Sequence, residues 1–166
     1  PILDPVIPPP ADRVVYSDLN FIILGLAIER TTGKTLDKLA EEKIFRPLDM
    51  SDSYFNPPEG EKGRIAPTEY SESRGGVIRG EVHDENSYAL GGVSGHAGLF
   101  STAGDLSKFV HALLNEGKYE DYRLLSPGTM ELLKKNFTKG LDSRRTLGWK
   151  LQGEGTTSAG DLLSSE

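Results

Sequence analysis

The stretch VVYSDLNFIILGLAIERTTGKTLDKLAEEKIFRPLDM, residues 14–50, decides the fold. Its first half carries apolar residues at the spacing of an α-helix, at Leu19, Ile22, Ile23 and Leu26. Ser17 is a favourable N-cap followed by the Asp18 carboxylate, and Gly33 suits the left-handed residue that ends many helices. The pattern therefore predicts a helix that begins at Ser17 and ends at Gly33.

Three further helices are predicted along the chain. The second begins after Thr35, which is a suitable cap. The third begins at Ser101 and ends at Gly117, and its predicted inward face carries Leu106, Phe109, Val110, Leu113 and Leu114. Ser126 and Pro127 are typical of the cap and the first position of a fourth helix.

Short strands and long irregular connections fill the remainder. Residues 56–81 are rich in proline, glycine and charge, which is typical of a long connection. Short strands are predicted over residues 50–55, 64–66, 77–78 and 147–151. The predicted fold class is therefore mainly α with a few short strands.

The distribution of prolines predicts the domain organisation. Residues 1–15 hold five of the ten prolines, so they predict an extended arm, because proline removes a backbone donor and disfavours a helical predecessor. Residues 16–150 then form a helical domain, and residues 151–166 form a C-terminal tail. The chain does not begin with Met and its tail contains no predicted element, so we expect an internal piece of a longer protein.

Composition excludes several classes of function. The net charge is −6 without a cluster of Lys and Arg, which disfavours a nucleic-acid surface. The chain has no cysteine, which excludes disulfides, thiol nucleophiles and thiolate metal sites. No apolar run reaches the length of a membrane span, and no signal peptide is visible. The compartment stays open.

One glycine motif is a candidate for a cofactor site. Gly33-Lys34-Thr35 resembles the end of a phosphate-binding loop, but Ile28 stands where that loop needs its first glycine. A helix end followed by a new cap accounts for the triplet. The sequence therefore predicts no cofactor.

Four polar residues near a glycine-rich turn are candidates for a metal site. They are His83, Asp84, Glu85 and His96, and they lack the two-histidine helical spacing of the zinc hydrolases. Acidic residues beside a turn are more often solvated or capping. The sequence therefore predicts no metal, and the roles of His83 and His96 stay open.

A nucleophile motif is absent from the sequence. A serine three residues before a lysine is one acyl-forming pair, and no lysine of this chain has serine at that distance. A G-x-S-x-G motif around Ser94 would need glycine where His96 stands. No residue of this chain is therefore a credible acyl-forming nucleophile.

Tyr16-Ser17-Asp18 is the remaining candidate for catalytic chemistry. Taken alone, the tripeptide is explained by a tyrosine that packs at a helix start beside a capping serine. A tyrosine acts as a general base only when nearby positive charge lowers its pKa far below about 10. No lysine stands next to this tripeptide in the sequence, so that charge would come from elsewhere.

The order of several phrases resembles one family, the class C β-lactamases with the D-alanyl-D-alanine carboxypeptidases and the β-lactamase-like esterases. In that family a Tyr-x-Asn or Tyr-Ser-Asp motif opens a helix, a Thr-Gly-Lys turn ends it, and a Pro-Leu-Gly-Met phrase follows. The similar phrases here are Tyr16-Ser17-Asp18, Thr32-Gly33-Lys34 and Pro47-Leu48-Asp49-Met50. Residues 82–109 and Leu147-Gly148-Trp149 are similar as well, so the resemblance covers the chain from residue 14 to about residue 150.

The resemblance implies a fold, a reaction and two site residues. Residues 16–150 would be the helical domain of the β-lactamase-like fold, with the α/β sheet domain largely missing. In the family a serine forms an acyl-enzyme, and the tyrosine moves protons beside the lysine of the nucleophile motif. Tyr16 would be that proton shuttle. Asp18 would be the third residue of the motif, in contact with the lysine and with the substrate amide.

Three departures from the family qualify this expectation. The family's serine–lysine motif precedes the tyrosine motif, its Lys/His-Thr-Gly motif follows the Trp149 strand, and this chain contains neither. Asp18 replaces an asparagine of the true β-lactamases, and a carboxylate cannot donate the hydrogen bond of an amide. Asp49 replaces a glycine, which aspartate tolerates in a left-handed turn. We therefore expect an inactive fragment whose parent is an esterase or peptidase.

Two alternatives stay open at this point. One is a non-catalytic helical module that binds peptidoglycan or a partner protein, and the other is an unrelated helical protein. The expected partner of the parent is a small-molecule or peptidoglycan-like substrate. We also expect self-association, because surface that would meet the missing domain would be exposed.

Overall fold

The computed structural model describes residues 13–151. Most of the predicted arm and nearly all of the predicted tail, residues 1–12 and 152–166, lie outside the described residues. Helices of all kinds hold 42% of the described residues and strands hold 12%, which confirms a mainly helical chain with a few short strands.

The chain divides into two compact units. One is Ser17–Leu124, and the other combines Pro1–Tyr16 with Leu125–Glu166. The assignment of residues 16–150 to one helical domain stays a prediction. None of the helices within residues 13–151 is both long and apolar enough to span a bilayer.

The first helix, α1, spans Leu19–Thr32. It begins after Asp18 rather than at the predicted Ser17, and the Asp18 side chain makes no capping hydrogen bond. Gly33 adopts the predicted left-handed conformation (φ 69°), and its N–H donates to the Glu29 carbonyl oxygen. The end of α1 is therefore set by Gly33, as its sequence pattern indicates.

The second helix, α2, spans Leu36–Ala40 and passes directly into a π-helix at Glu41–Phe45. Thr35 is its N-cap residue but makes no side-chain capping bond. Asp49 follows with φ 54°, so this aspartate adopts a left-handed conformation, as its place in the Pro-Leu-Asp-Met phrase predicts.

A small apolar core lies at the end of the π-helix. Its buried members are Phe45, Leu48, Met50 and Ala112, with Phe109, Tyr119 and Tyr122 packed around them. The Tyr122 hydroxyl donates to the Lys43 carbonyl oxygen at 3.0 Å. This core therefore joins the π-helix to the segments that follow residue 102.

Three antiparallel strand pairs are present among the described residues. They are β1 (Tyr54–Phe55) with β4 (Leu99–Phe100), β2 (Glu69–Ser71) with β3 (Gly76–Ile78), and β5 (Lys118–Tyr119) with β6 (Tyr122–Arg123). The predicted strand over residues 64–66 is wrong. Arg64 closes a 3₁₀ helix, Glu59–Arg64, where its guanidinium is held by Asp52 and Glu61.

One helix lies between β3 and β4, and another lies between β4 and β5. The short helix α3, Glu85–Ala89, was not predicted, because five residues are too few to show a period. The next helix, α4, spans Ala103–Leu114, and its cap is Thr102 rather than the predicted Ser101. The Thr102 side chain accepts a hydrogen bond from the Asp105 N–H at 3.1 Å.

The buried face of α4 differs from the predicted one. Ala112 and Asp105 are buried on this helix, and the predicted inward residues Phe109 and Leu113 are half-buried. The other predicted inward residues, Leu106, Val110 and Leu114, are exposed. The Asp105 carboxylate accepts hydrogen bonds from the Ser53 hydroxyl and the Asp52 N–H, at 2.9 and 2.8 Å. These bonds place Asp105 on the same buried side of the helix as Phe109 and Ala112.

The second unit contains the helix α5, Pro127–Lys134. Ser126 is its N-cap, as predicted, and its hydroxyl accepts from the Thr129 N–H at 3.2 Å. The predicted strand over residues 147–151 is wrong. Gly148 has φ 86° and reverses the chain, so only an isolated bridge between Arg145 and Lys150 forms.

The glycine turn (residues 91–98) packs directly against the backbone of α1. A Cβ atom added to Gly95 would lie 2.2 Å from the Phe21 carbonyl oxygen, and one added to Gly25 would lie 3.3 Å from the Gly95 nitrogen. Two segments can approach this closely only where side chains are absent. Gly95 therefore sets the distance between the turn and α1.

We expect Gly95→Ala to destabilise the chain by about 1–3 kcal/mol, the usual cost of an added methyl group in a packed site. The matched control is Gly104→Ala in α4, where the nearest atom to an added Cβ is 3.7 Å away. Urea unfolding followed by circular dichroism measures both. Equal stabilities for the two variants would contradict the close approach.

Candidate functional site

Tyr16 lies in an irregular segment just before α1, and 77% of the residue is exposed. It is therefore not a core tyrosine, and its phenol is accessible to a substrate or a partner chain. Tyr16 and Asp18 belong to different compact units of the chain. The assignment of Tyr16 as a proton shuttle stays a prediction.

Asp18 lies at the start of α1, beside two other ionisable side chains. One oxygen of Asp18, one oxygen of Asp84 and a ring nitrogen of His96 all lie within 4.8 Å of one another. The three residues come from the start of α1, the start of α3 and the glycine turn. We call this group the Asp–Asp–His cluster.

The His96 side chain is buried, with 4% of it exposed, whereas 28% of the Asp84 side chain is exposed. Its Nε2 lies 2.8 Å from Asp84 Oδ1, and its Nδ1 lies 2.8 Å from Ser94 Oγ. The imidazole is therefore held at both nitrogens, and its orientation is fixed from both sides.

Asp84 holds its position through the helix that it caps. Its Oδ1 accepts a hydrogen bond from the Ser87 N–H at 2.7 Å, at the N-terminus of α3. This bond lowers the pKa of Asp84, burial opposes the effect, and the hydrogen bond with His96 lowers the pKa further. Asp84 is therefore held in its ionised form.

Ser87 joins α3 to the glycine turn. Its side chain is fully buried, and its hydroxyl donates to the Ala97 carbonyl oxygen at 2.9 Å. Ala97, the residue after His96, is thus bonded to α3, the helix that Asp84 caps. This link keeps Asp84 and His96 together.

Hydrogen bonds link Ser94 to His96 and His96 to Asp84, which is the connectivity of a Ser-His-Asp triad. Ser94 is buried within the glycine turn, however, which favours an orienting hydrogen bond over attack on a substrate. The arrangement can hold an imidazole in place beside an ionised carboxylate.

Sequence reasoning identified part of this group. Asp84 and His96 are two of the four candidate metal ligands in the sequence, and the structure brings these two together. The other two, His83 and Glu85, are exposed and lie outside the cluster. Asp18 joins it instead, and no local spacing connects residue 18 with residues 84 and 96.

An apolar groove of about 550 Å³ lies between α1, α2 and the glycine turn. His96 belongs to its wall, so the polar cluster adjoins an apolar surface. The groove can accept an apolar group or segment. Its apolar lining includes Phe21, Leu24, Ile28, Leu36 and Ile44.

Comparison with known proteins finds one family. A family model described as Beta-lactamase matches residues 4–162. The protein named "Putative D-alanyl-D-alanine carboxypeptidase" of Escherichia coli O157:H7 is 39% identical over 161 residues, which cover 89% of this chain and 37% of that protein. The N-acetylmuramyl-L-alanine amidase of Bacillus subtilis strain 168 is 37% identical over 153 residues, which cover 84% and 34%. The chain thus spans less than two fifths of either relative.

A solved structure of a β-lactamase-like enzyme shares the fold of this chain. The β-lactamase/D-alanine carboxypeptidase of Pseudomonas syringae superposes with a TM-score of 0.62 at 20% identity. The match covers 85% of this chain and 36% of that one. At this identity the likeness concerns the fold alone.

Proposed function

Because this chain belongs to the beta-lactamase family, we propose that it is part of a serine hydrolase that forms an acyl-enzyme with a β-lactam, an ester or a D-alanyl peptide. The family match over residues 4–162 carries the proposal. The exposed Tyr16, which stands just before α1, supports it, because a proton shuttle must reach the substrate.

In the proposed reaction, one catalytic group comes from this chain and the others come from the rest of the protein. A serine from outside the chain attacks the substrate carbonyl, and Tyr16 accepts the proton that the hydroxyl loses. Tyr16 then returns this proton to the leaving group as the acyl-enzyme forms, and water releases the acyl group. A lysine beside the serine supplies the positive charge that keeps the tyrosine deprotonated.

Asp18 bears on the substrate class. A carboxylate at the third position of the tyrosine motif accepts hydrogen bonds from the lysine but cannot donate one to a substrate carbonyl. This favours esters and D-alanyl peptides over β-lactams. The relatives named as carboxypeptidase and amidase support a peptidoglycan-like substrate for the parent.

The isolated chain should be catalytically inactive. The sequence contains no serine–lysine pair. Within residues 13–151, the buried serines bond to other groups than lysine: Ser53 to Asp105 and Ser101, Ser87 to a carbonyl oxygen, and Ser94 to His96. Without a nucleophile, only residual binding effects remain.

The domain assignment is part of the same proposal. Residues 16–150 would belong to the helical domain of the fold, and the α/β sheet domain would come largely from the rest of the protein. The helical content of the described residues and the likeness to the Pseudomonas syringae enzyme support this assignment.

The experiment is Tyr16→Phe in the longer parent protein. We expect kcat on p-nitrophenyl acetate and on a D-Ala-D-Ala peptide to fall by roughly 10²–10⁴, the usual contribution of a positioned acid–base group. The matched control is Tyr70→Phe, because Tyr70 is also exposed and lies in β2, and it should leave kcat unchanged. The isolated chain should turn over neither substrate, nor nitrocefin.

Two outcomes would contradict the proposal. Equal kcat values for the parent and its Tyr16→Phe variant would exclude Tyr16 as the proton shuttle. A parent without activity on any ester, amide or lactam would favour the alternative, a non-catalytic module that binds peptidoglycan or a partner protein.

Self-association of the isolated chain is a second part of the proposal. α1 exposes apolar side chains on several sides: Leu19, Ile23, Leu24 and Leu26 are each more than half exposed. Apolar surface of this kind favours association in water. We propose that two copies associate through α1.

Sedimentation velocity over a range of concentrations tests this association. We expect the wild-type chain to form dimers as concentration rises, and Ile23→Lys to shift the species towards monomer. The control is Val77→Lys, because Ile23 and Val77 are both 62% exposed and Val77 lies in β3. A wild-type monomer at every concentration would overturn the proposal, as would equal effects of the two variants.

A further inference from the structure

We propose that Asp84 is a positioning residue of the acyl-transfer site, whose negative charge holds the lysine that bonds to Asp18 in its charged form. This inference rests on the proposed function, because that lysine comes from outside the chain. It gives a role in the reaction to a residue that stands outside the Tyr16-Ser17-Asp18 motif.

The two carboxylates of the Asp–Asp–His cluster lie close enough to act on one cation. One oxygen of Asp18 and one oxygen of Asp84 lie within 4.8 Å of each other, and within residues 13–151 neither side chain pairs with Lys or Arg. A negative charge within about 4–6 Å of an ammonium group favours its charged form. A lysine that bonds to Asp18 is therefore also stabilised by Asp84.

Asp84 keeps its negative charge while it forms its hydrogen bonds. The Ser87 N–H is the main cause of the lowered pKa of Asp84, burial opposes it, and His96 lowers this pKa further. Because an ionised carboxylate can only accept, His96 Nε2 carries a proton and donates a hydrogen bond to Asp84 Oδ1 at 2.8 Å. The Ser87 N–H also bonds to Oδ1, so neither bond uses Oδ2. The carboxylate is thus oriented by its partners and stays unprotonated.

Few other charged groups act on Asp84. Among residues 13–151, the ionisable side chains that face it are Asp18, from the start of α1, and His96, from the glycine turn. Arg74 packs over an aromatic ring of α3, but it pairs with Glu81 at 3.6 Å and not with Asp84. A substitution that removes the Asp84 charge therefore leaves Asp18 as the one carboxylate of the cluster.

The backbone fixes Asp84 relative to Asp18. The Gly95 backbone packs against the Phe21 carbonyl oxygen of α1, three residues after Asp18. The buried Ser87 hydroxyl bonds the same glycine turn to α3, whose cap is Asp84. The fold therefore sets the distance between the two carboxylates, and the lysine would not have to order a loose loop.

The charge of Asp84 affects the alkaline limb of the pH–rate profile. The proposed reaction needs a charged lysine, so activity is lost as pH rises through the pKa of that lysine. A nearby carboxylate raises this pKa, and its removal lowers it. For unit charges roughly 6 Å apart, Coulomb's law corresponds to a pKa change of about 0.5 in water and about 2 at an effective dielectric constant of about 20.

The experiment is Asp84→Asn in the longer parent protein, with kcat/KM on a D-Ala-D-Ala peptide measured against pH. We expect the alkaline limb to move down by about 0.5–2 pH units. Asparagine caps a helix as well as aspartate does, and its amide oxygen can accept from the Ser87 N–H and from His96, so the fold should be kept. Asp84→Ser, which also caps without charge, replaces it if Asp84→Asn fails to fold.

A second measurement reads the lysine without turnover. In the parent labelled with ¹³C-lysine, NMR titration of the lysine Cε should give a lower pKa for Asp84→Asn than for the wild type. The matched control is Glu85→Gln, because Glu85 is the next residue, is exposed and lies outside the cluster. It removes the same charge and should leave both the alkaline limb and the lysine pKa unchanged.

The outcomes separate this inference from the proposed function. If Tyr16→Phe inactivates the parent but Asp84→Asn keeps the wild-type alkaline limb and lysine pKa, this inference alone is overturned. Equal shifts in Asp84→Asn and Glu85→Gln would also overturn it, because they would report only the net charge of the protein. A parent that is inactive, or that keeps full activity as Tyr16→Phe, overturns the proposed function and this inference with it.

Discussion

The close approach of the Gly95 backbone to α1 is the constraint on which the site depends. With no side chain between them, the glycine turn lies against the Phe21 carbonyl oxygen and brings His96 to the start of the helix. A chain of hydrogen bonds through Asp84 and Ser87 then fixes α3 to the same turn. One close backbone contact thus brings three segments that are distant in sequence together, and Asp18 lies where they meet.

The fold could be predicted from the sequence where local chemistry decides the structure. Gly33 ends α1 and Ser126 caps α5, because each acts on its own backbone and its near neighbours. The prediction was wrong where a contact between residues far apart in sequence decides the structure. The buried side of α4 is set by Asp105, whose partners Ser53 and Asp52 lie about fifty residues earlier.

In the candidate site too, the individual residues could be identified from the sequence, but the contacts between distant segments could not. Asp18 could be singled out because it belongs to a short motif, and Asp84 and His96 could be weighed as ligands because of their side-chain types. Their meeting could not be predicted, because it depends on the turn packing against α1. Without that contact, Asp18 has no link in the sequence to His96.

Tyr16 and Asp18 belong to one tripeptide but have different surroundings in the structure. Tyr16 is exposed, as the acyl-transfer proposal requires, whereas Asp18 lies beside Asp84 and His96. The acyl-transfer proposal therefore concerns the parent protein, because this chain contains no serine–lysine pair.

The most direct test of the central claim is to identify the acylated residue in the parent protein. The parent would be treated with a fluorescent penicillin or a fluorophosphonate, digested and analysed by mass spectrometry. The account predicts a modified serine outside residues 1–166, three residues before a lysine. A modified residue within residues 1–166 would contradict it, as would a parent that neither reagent labels.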